Sequence, residues 1–184
     1  MERLRENGGN TSGQAPHLPY AMGMTESPAD PPDVDTDTFL SRLWQLGPAM
    51  VLGAPHSKHL GMRFVSVDLA RASLALDYSP DIVGDPKTRV MHGGAVTTLL
   101  DQCSGLAAIA GLQRPVSVAT LNLHIDYQRA SPPGETVIAV AHAYKVTRHV
   151  AFIRGIAHNG DEDDPVATSQ ATFMVTGEVK GIGL

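Results

Sequence analysis

In the stretch RVMHGGAVTTLLDQCSG, Arg89 to Gly105, a histidine and two glycines lead into a long apolar run that is broken once, by the carboxylate of Asp101. Gly93 and Gly94 at the start of a helix leave backbone N–H groups without intrahelical partners, aligned with the positive end of the macrodipole and with no side chain in a ligand's way. Such donors suit a carbonyl oxygen turning into an oxyanion, and each is worth about 3 kcal/mol to a transition state in a site that excludes water. Asp101, set among Leu99, Leu100 and Cys103, supplies the complementary chemistry. A carboxylate can take a proton from water or attack a carbonyl carbon itself. It lies eight residues on from Gly93, roughly 12 Å along the axis at 1.5 Å per residue. One carbonyl cannot touch both groups of the same chain. If both act on it, the helix N-terminus comes from one subunit and the carboxylate from another, which predicts a site across a two-fold dimer interface.

The elements that must position these groups are legible from periodicity. An apolar stripe with helical spacing predicts a helix from about Gly94 to Ala110, ended by Gly111. Beside it Thr97, Thr98, Asp101, Ser104, Gly105 and Ala108 form a small or polar strip with room for a ligand. Upstream, Phe39, Leu40, Leu43, Trp44 and Leu46 predict a helix entered through Asp35 or Asp37 and interrupted at Gly47-Pro48. Residues 62–78 read as a hairpin turning near Ala70-Arg71. From Val116 the period changes to two, and turns at 131–134, 147–148 and the acidic NGDEDDP segment divide the rest into strands near 117–130, 135–146, 149–158 and 165–176. In the first of these Leu121, Leu123, Ile125 and Tyr127 share one face, and parity places Thr120 with Asn122, His124, Asp126 and Gln128 on the other. The order implies an α+β fold, an antiparallel sheet of about six strands wrapped around one central helix, with an additional N-terminal helix.

Composition narrows the chemistry. A chain of 184 residues with 42% hydrophobic and 18% charged residues fits one globular domain. No apolar stretch is read as a membrane span. A formal net charge of -5 argues against nucleic acid as a main partner. The lone Cys103 excludes a disulfide framework and any multi-thiolate metal site, and it points to a reducing compartment, the cytoplasm. Residues 1–36, rich in glycine and proline and poor in aliphatics, read as a flexible tail ahead of a domain at 37–184. His56 and His59 in PHSKH lack acidic or thiol neighbours and read as loop histidines, so no metal site is expected.

The segments VMHGGAVTTLLDQCSGLAA, ATLNLHIDYQRASPPGETVIAVAHAYKVTRHVAFIRGIA and VATSQATFMV resemble the hotdog-fold acyl-CoA thioesterases, in particular the PaaI-like, phenylacetic acid degradation type branch. The resemblance covers roughly residues 58 to 176. It implies a homodimer with sheets joined edge to edge, often paired into a homotetramer, that hydrolyses an acyl- or aryl-acyl-CoA thioester with no cofactor. It places Asp101 at the family's general base or nucleophile and Gly93, with Gly94 second, at the oxyanion donor. His92 falls at the histidine that fixes the carbonyl or the loop, and Thr120 at a hydroxyl that orients water. For the CoA phosphates it leaves Arg129, Arg148, Lys145 and Arg89. One departure stands out: many relatives carry an Asn six residues before the histidine, where this chain has Pro86 between Asp85 and Lys87. That departure is the argument for the alternative, a binding protein of the same fold that senses acyl-CoA without hydrolysing it.

Overall fold

The structure, a computed structural model, describes residues 39–179; the expected tail and the helix entry at Asp35 or Asp37 lie outside them. The elements run α1 (Phe39–Gly53), α2 (Pro55–Leu60), β1 (Met62–Asp68), β2 (Arg71–Leu76), α3 (Gly93–Leu112), β3 (Val116–Tyr127), β4 (Val137–Val146), β5 (Val150–His158) and β6 (Ala167–Glu178). The strands form one antiparallel sheet in the order β1-β2-β4-β5-β6-β3, and α3 runs across its inner face. The cross-strand row Leu74, Ala139, Ala157, Ala167, Tyr127 lies on that face. Most inward positions on the central strands are alanines, such as Ala72, Ala141, Ala151 and Ala171, all buried. Small strand residues let the helix settle close to the sheet, where its own Leu99, Leu100 and Leu106 fill the space. The length and apolar content of α3 match those of a membrane span, and its burial against the sheet accounts for them.

Three local expectations change. α1 continues through Pro48 to Gly53 instead of stopping at Gly47. Proline forfeits one backbone bond there, yet Gly47 faces the Phe64 ring so closely that a Cβ would collide with it, and Trp44 meets the same ring edge-on with centroids 5.4 Å apart. Packing outweighs propensity. PHSKH is a short helix rather than a loop, opened by Pro55 and closed by Gly61 at φ 75. Gly111 lies inside α3, which ends at Leu112 and is capped by Gln113 with φ 50; a Cβ on Gly111 would come within 3.0 Å of Val146 and 3.1 Å of Ala143. That glycine serves helix-to-sheet contact, not termination.

The fourth change bears on the site. β3 carries a bulge: Thr120 pairs with Phe173 and Asn122 with Thr172, so Leu121 has no partner and is 57% exposed. One inserted residue reverses the facing of everything before it. Thr120 therefore faces inward with Leu123, Ile125 and Tyr127, not outward with Asn122 as strict alternation requires. β3 is also the edge of the sheet, and Tyr127 on it is 51% exposed.

Candidate active site

The helix entrance is built by two neighbouring elements. His92, in extended conformation, is the N-cap of α3: its Nδ1 accepts the Gly94 N–H at 2.9 Å and its carbonyl accepts the Ala95 N–H at 2.9 Å. Neutral imidazole that accepts at Nδ1 carries its proton on Nε2, so His92 offers an N–H at the exposed edge of this entrance. The cap decides between the two glycines: the Gly94 N–H is taken, whereas the Gly93 N–H has no partner among the described residues. Gly94 thus drops out as an unoccupied donor. On the opposite side, the Tyr127 hydroxyl donates to the Gly93 carbonyl at 2.8 Å and lies 2.6 Å from Thr97 Oγ1. Thr97 Oγ1 donates to the same carbonyl at 3.1 Å. Sequence reading placed Tyr127 on the inner face of its strand and Thr97 on the helix strip without bringing them together; helix and strand are thirty residues apart in sequence, and no local pattern signals the crossing.

The loop ahead of His92 is closed by backbone. Val83 and Met91 form a bridge, Gly84 N–H donates to Val90 O at 2.9 Å, and His92 N–H donates to Ile82 O at 2.8 Å. Asp85 caps a tight turn, accepting from Lys87 N–H at 2.9 Å and Thr88 Oγ1 at 2.8 Å, and these bonds hold its carboxyl below the usual carboxylate range. Pro86 is exposed and brings no polar side chain to the place where the family pattern has Asn.

Two turns into α3, Asp101 is half-buried, and Thr120 Oγ1 donates to its Oδ1 at 2.9 Å. No Lys, Arg or His pairs with it among the described residues, so its charge is held by a hydroxyl and not neutralised by a cation. A cleft of about 320 Å³ opens at the other end, between the α3 entrance and the end of β3, lined by Gly93, Val96, Tyr127, Arg129, Ser131 and Val166 among others. It takes in Gly93 but not Asp101. Within one chain the free amide and the carboxylate stay apart, as their spacing on the helix dictates.

The basic candidates fall in different places. Arg129 beside the cleft is committed to the acidic β5–β6 loop: its Nε and Nη2 donate to the Asp164 carbonyl at 3.1 and 2.7 Å, Nη1 to Asn159 Oδ1 at 3.1 Å, and Nε meets the Asp164 carboxylate at 2.8 Å. It is a clamp with little capacity left for a phosphate. Lys145 lies over the Phe152 ring at 5.8 Å, and the Arg148 carbonyl accepts from Arg114; both lie by the turn near the C-terminal end of α3, far from Gly93 of the same chain. Arg89, exposed with φ 60 and its carbonyl held by Tyr78, is the basic residue nearest the entrance in sequence whose side chain has no partner among the described residues. Cys103 is fully buried, its thiol donating to the Ala72 and Ala139 carbonyls, and burial pushes it up to about 12. It is inert at neutral pH. His56 Nε2 lies 3.5 Å from Thr98 Oγ1, on the α2 side of the helix strip.

A six-stranded antiparallel sheet wrapped around one long helix, entered through His-Gly-Gly with a carboxylate two turns in, defines a hotdog-fold thioesterase. Residues 89–166 match the family model of the Thioesterase superfamily. The chain is 28% identical over 143 residues to the medium/long-chain acyl-CoA thioesterase YigI of Escherichia coli K12, covering 71% of this chain and 91% of that protein. Among solved structures, a Pseudomonas aeruginosa protein superposes with TM-score 0.65 at 34% identity over 74% of this chain and 98% of the other. The E. coli PaaI protein of the phenylacetic acid degradation operon has the same fold, with TM-score 0.68 at 19% identity over 77% and 99%. Residues 89–166 are a domain of the Thioesterase superfamily, and the chain is a homologue of an acyl-CoA thioesterase.

Proposed function

We propose that this protein hydrolyses the thioester of an acyl- or aryl-acyl-CoA to the free acid and CoA, at a site shared between two subunits. The observation that carries the reading is Asp101: a half-buried carboxylate on the core helix, held by the Thr120 hydroxyl at 2.9 Å and lacking a cationic partner. As general base it takes a proton from water whose oxygen bonds the thioester carbon. The carbonyl oxygen becomes an oxyanion facing the Gly93 N–H of the other subunit, with His92 beside it, and on collapse the C–S bond breaks and the proton passes to the CoA sulfur. As nucleophile, Asp101 attacks the thioester carbon, the C–S bond breaks to expel CoA thiolate, which takes up a proton, and water then cleaves the anhydride at the aspartyl carbon. The two routes differ in labelled water, since only the second leaves ¹⁸O in the Asp101 carboxylate. Both run on side chains, backbone and water, and call for no cofactor.

A dimer formed edge to edge through β3, as homodimer or as half of a homotetramer, is the assembly this reading needs. β3 supports it: a twelve-residue edge strand with Leu121 and Tyr127 exposed is long for an unpaired edge. The lone buried thiol suits the cytoplasm. The test is release of free CoA thiol from short, medium, long and aromatic acyl-CoAs by wild type and Asp101→Ala. Turnover in wild type that collapses in the variant while CoA binding persists supports the proposal. Binding without turnover in wild type overturns it in favour of an acyl-CoA sensor, the reading that Pro86 argues for.

A further inference from the structure

On the face of the sheet turned away from α3, basic side chains fall in one cross-strand row. Arg71 of β2 stands opposite His142 of β4, and His142 opposite Arg154 of β5. Like charges directly across neighbouring strands repel, and burial together with Arg71 and Arg154 holds the His142 imidazole below its usual range. Among the described residues of this row, carboxylates stand only at its ends. Asp68 lies opposite Arg71 on the edge strand β1, its Oδ1 accepting the Leu69 N–H at 2.6 Å. At the far end, beyond Gln170, His124 and Asp126 of β3 are 3.2 Å apart. Arg154, exposed, stacks over the Tyr144 ring at 4.6 Å and has no ion pair among the described residues.

The complementary charge lies in the chain ahead of α1. No lysine or arginine occurs between Arg5 and Arg42, and five carboxylates, Glu26, Asp30, Asp33, Asp35 and Asp37, fall within twelve residues. That segment ends two residues before α1 begins at Phe39. α1 in turn is packed on β1, the strand beside β2: Phe64 of β1 meets Trp44 edge-on and lies against Gly47. From β1 to β5 is three strand spacings, roughly 14 Å, and twelve extended residues reach about 40 Å. Pro28, Pro31 and Pro32 favour an extended backbone in the same segment. We propose that the acidic segment Glu26–Asp37 lies along the outer row Arg71, His142 and Arg154 of its own chain, with its carboxylates against these bases. The segment then neutralises charge that the row itself leaves uncompensated at its centre. The proposal stands on charge and reach and is independent of the hydrolase reading.

Ala29→Cys places a thiol for a nitroxide label inside the segment without altering its charge, and the fully buried Cys103 does not compete for the reagent. In the full-length, deuterated, ¹⁵N-labelled chain the expected result is a loss of amide intensity at Arg71, His142 and Arg154, larger than at Val96 and Leu100 across the sheet. The loss is expected to disappear in about 1 M salt, where the Debye length is about 3 Å, and in Arg154→Glu. It is also expected to disappear in Asp30→Asn/Asp33→Asn/Asp35→Asn, which leaves every residue of the folded domain in place. Intensity lost elsewhere, or nowhere, overturns the proposal, as does a loss at the row that survives these changes of charge. Mixing nitroxide-labelled chains of natural isotope content with unlabelled ¹⁵N chains identifies whose row is occupied. Intensity lost at the row in that mixture would show that the segment lies on a second copy, and it overturns the assignment to its own chain.

Discussion

Thr120 Oγ1 stands 2.9 Å from Asp101 Oδ1, joining the edge strand to the core helix at the one carboxylate within the helix. The contact leaves Oδ2 as the oxygen available to water or substrate. Thr120→Val keeps the shape and deletes the hydrogen bond, and kcat is expected to fall roughly tenfold through loss of orientation. Asp101→Ala is expected to cost about 10²- to 10⁴-fold, the range for removal of a general base. If the hydroxyl acts only through the carboxylate, the double variant is no slower than Asp101→Ala alone. Thiol release by the three variants decides it, and additive losses would mean that Thr120 acts elsewhere.

His92 caps α3 through Nδ1, a task that Asn performs well with its side-chain oxygen. His92→Ala is expected to lower stability by about 1 kcal/mol, and His92→Asn to recover most of it. Urea unfolding of both variants is the measurement. An Asn variant as unstable as the Ala variant would show that the Gly94 contact contributes nothing.

The facing of Thr120 marks the boundary of what the residues disclose on their own. The core helix, the hairpin and the four later strands follow from periodicity, because burial of one face imposes a period that any ordered version of the chain must keep. A bulge breaks that period without changing composition. Leu121 is apolar and sits in step with Leu123 and Ile125, yet it is the unpaired residue and points out. The Gly-Gly entrance and Asp101 are visible as residue types, but the pairing of Tyr127 with Gly93 depends on how β3 crosses α3, a tertiary fact. Gly111 and Gly47 mislead in the same way: glycine marks ends when conformation requires it and contacts when space requires it, and the sequence carries the same letter for both.

Gly84 should be as intolerant as the site itself. A Cβ there would lie 2.9 Å from His92 Cα and 3.3 Å from His92 N, backbone atoms that cannot move aside without moving the cap. Gly84→Ala is expected to cost about 1–3 kcal/mol, the usual range for overpacking, and to lower kcat with it. Thermal unfolding and thiol release on one preparation test this. Unchanged kcat would mean that the loop shifts without carrying His92 along.

Arg129 and Arg89 should separate cleanly. Removal of Arg129 frees Asp164 and Asn159, and Asn159 also donates to Ser131 Oγ at 3.1 Å and Thr136 O at 2.9 Å. Arg129→Ala is therefore expected to lower stability by about 1–2 kcal/mol and to speed proteolysis in 159–165, with CoA affinity within twofold. Arg89→Ala should leave stability unchanged and weaken CoA binding about fivefold, as loss of one charge-assisted contact does. Calorimetric titration with CoA distinguishes them, and a large affinity loss in Arg129→Ala would reverse the assignment.

His158 gives stability a pH dependence of known sign. It is 6% exposed, its Nδ1 accepts the Gly160 N–H at 3.0 Å, and its Nε2 is buried without a hydrogen-bond partner among the described residues, 3.9 Å from Glu162. Burial depresses its pKa below 6.5, outweighing the opposing pull of Glu162 and Asp161. The unfolded chain thus binds the proton more readily. Stability is fully present above pH 6.5 and declines as pH falls from there toward the depressed folded value, by up to about 1.4 kcal/mol per pH unit for one group. His142, depressed by burial and by Arg71 and Arg154, acts in the same direction. The depressed carboxylates of Asp77 and Asp85 act only below about pH 3.8 and stay out of this window. Asn at 158 can keep an oxygen where Nδ1 accepts from Gly160 while having no proton to take up. His158→Asn is therefore expected to lose less stability than wild type between pH 7.5 and 5.5 in urea unfolding, retaining only the share due to His142. Equal losses in the two proteins would show that His158 titrates alike in the folded and unfolded chain.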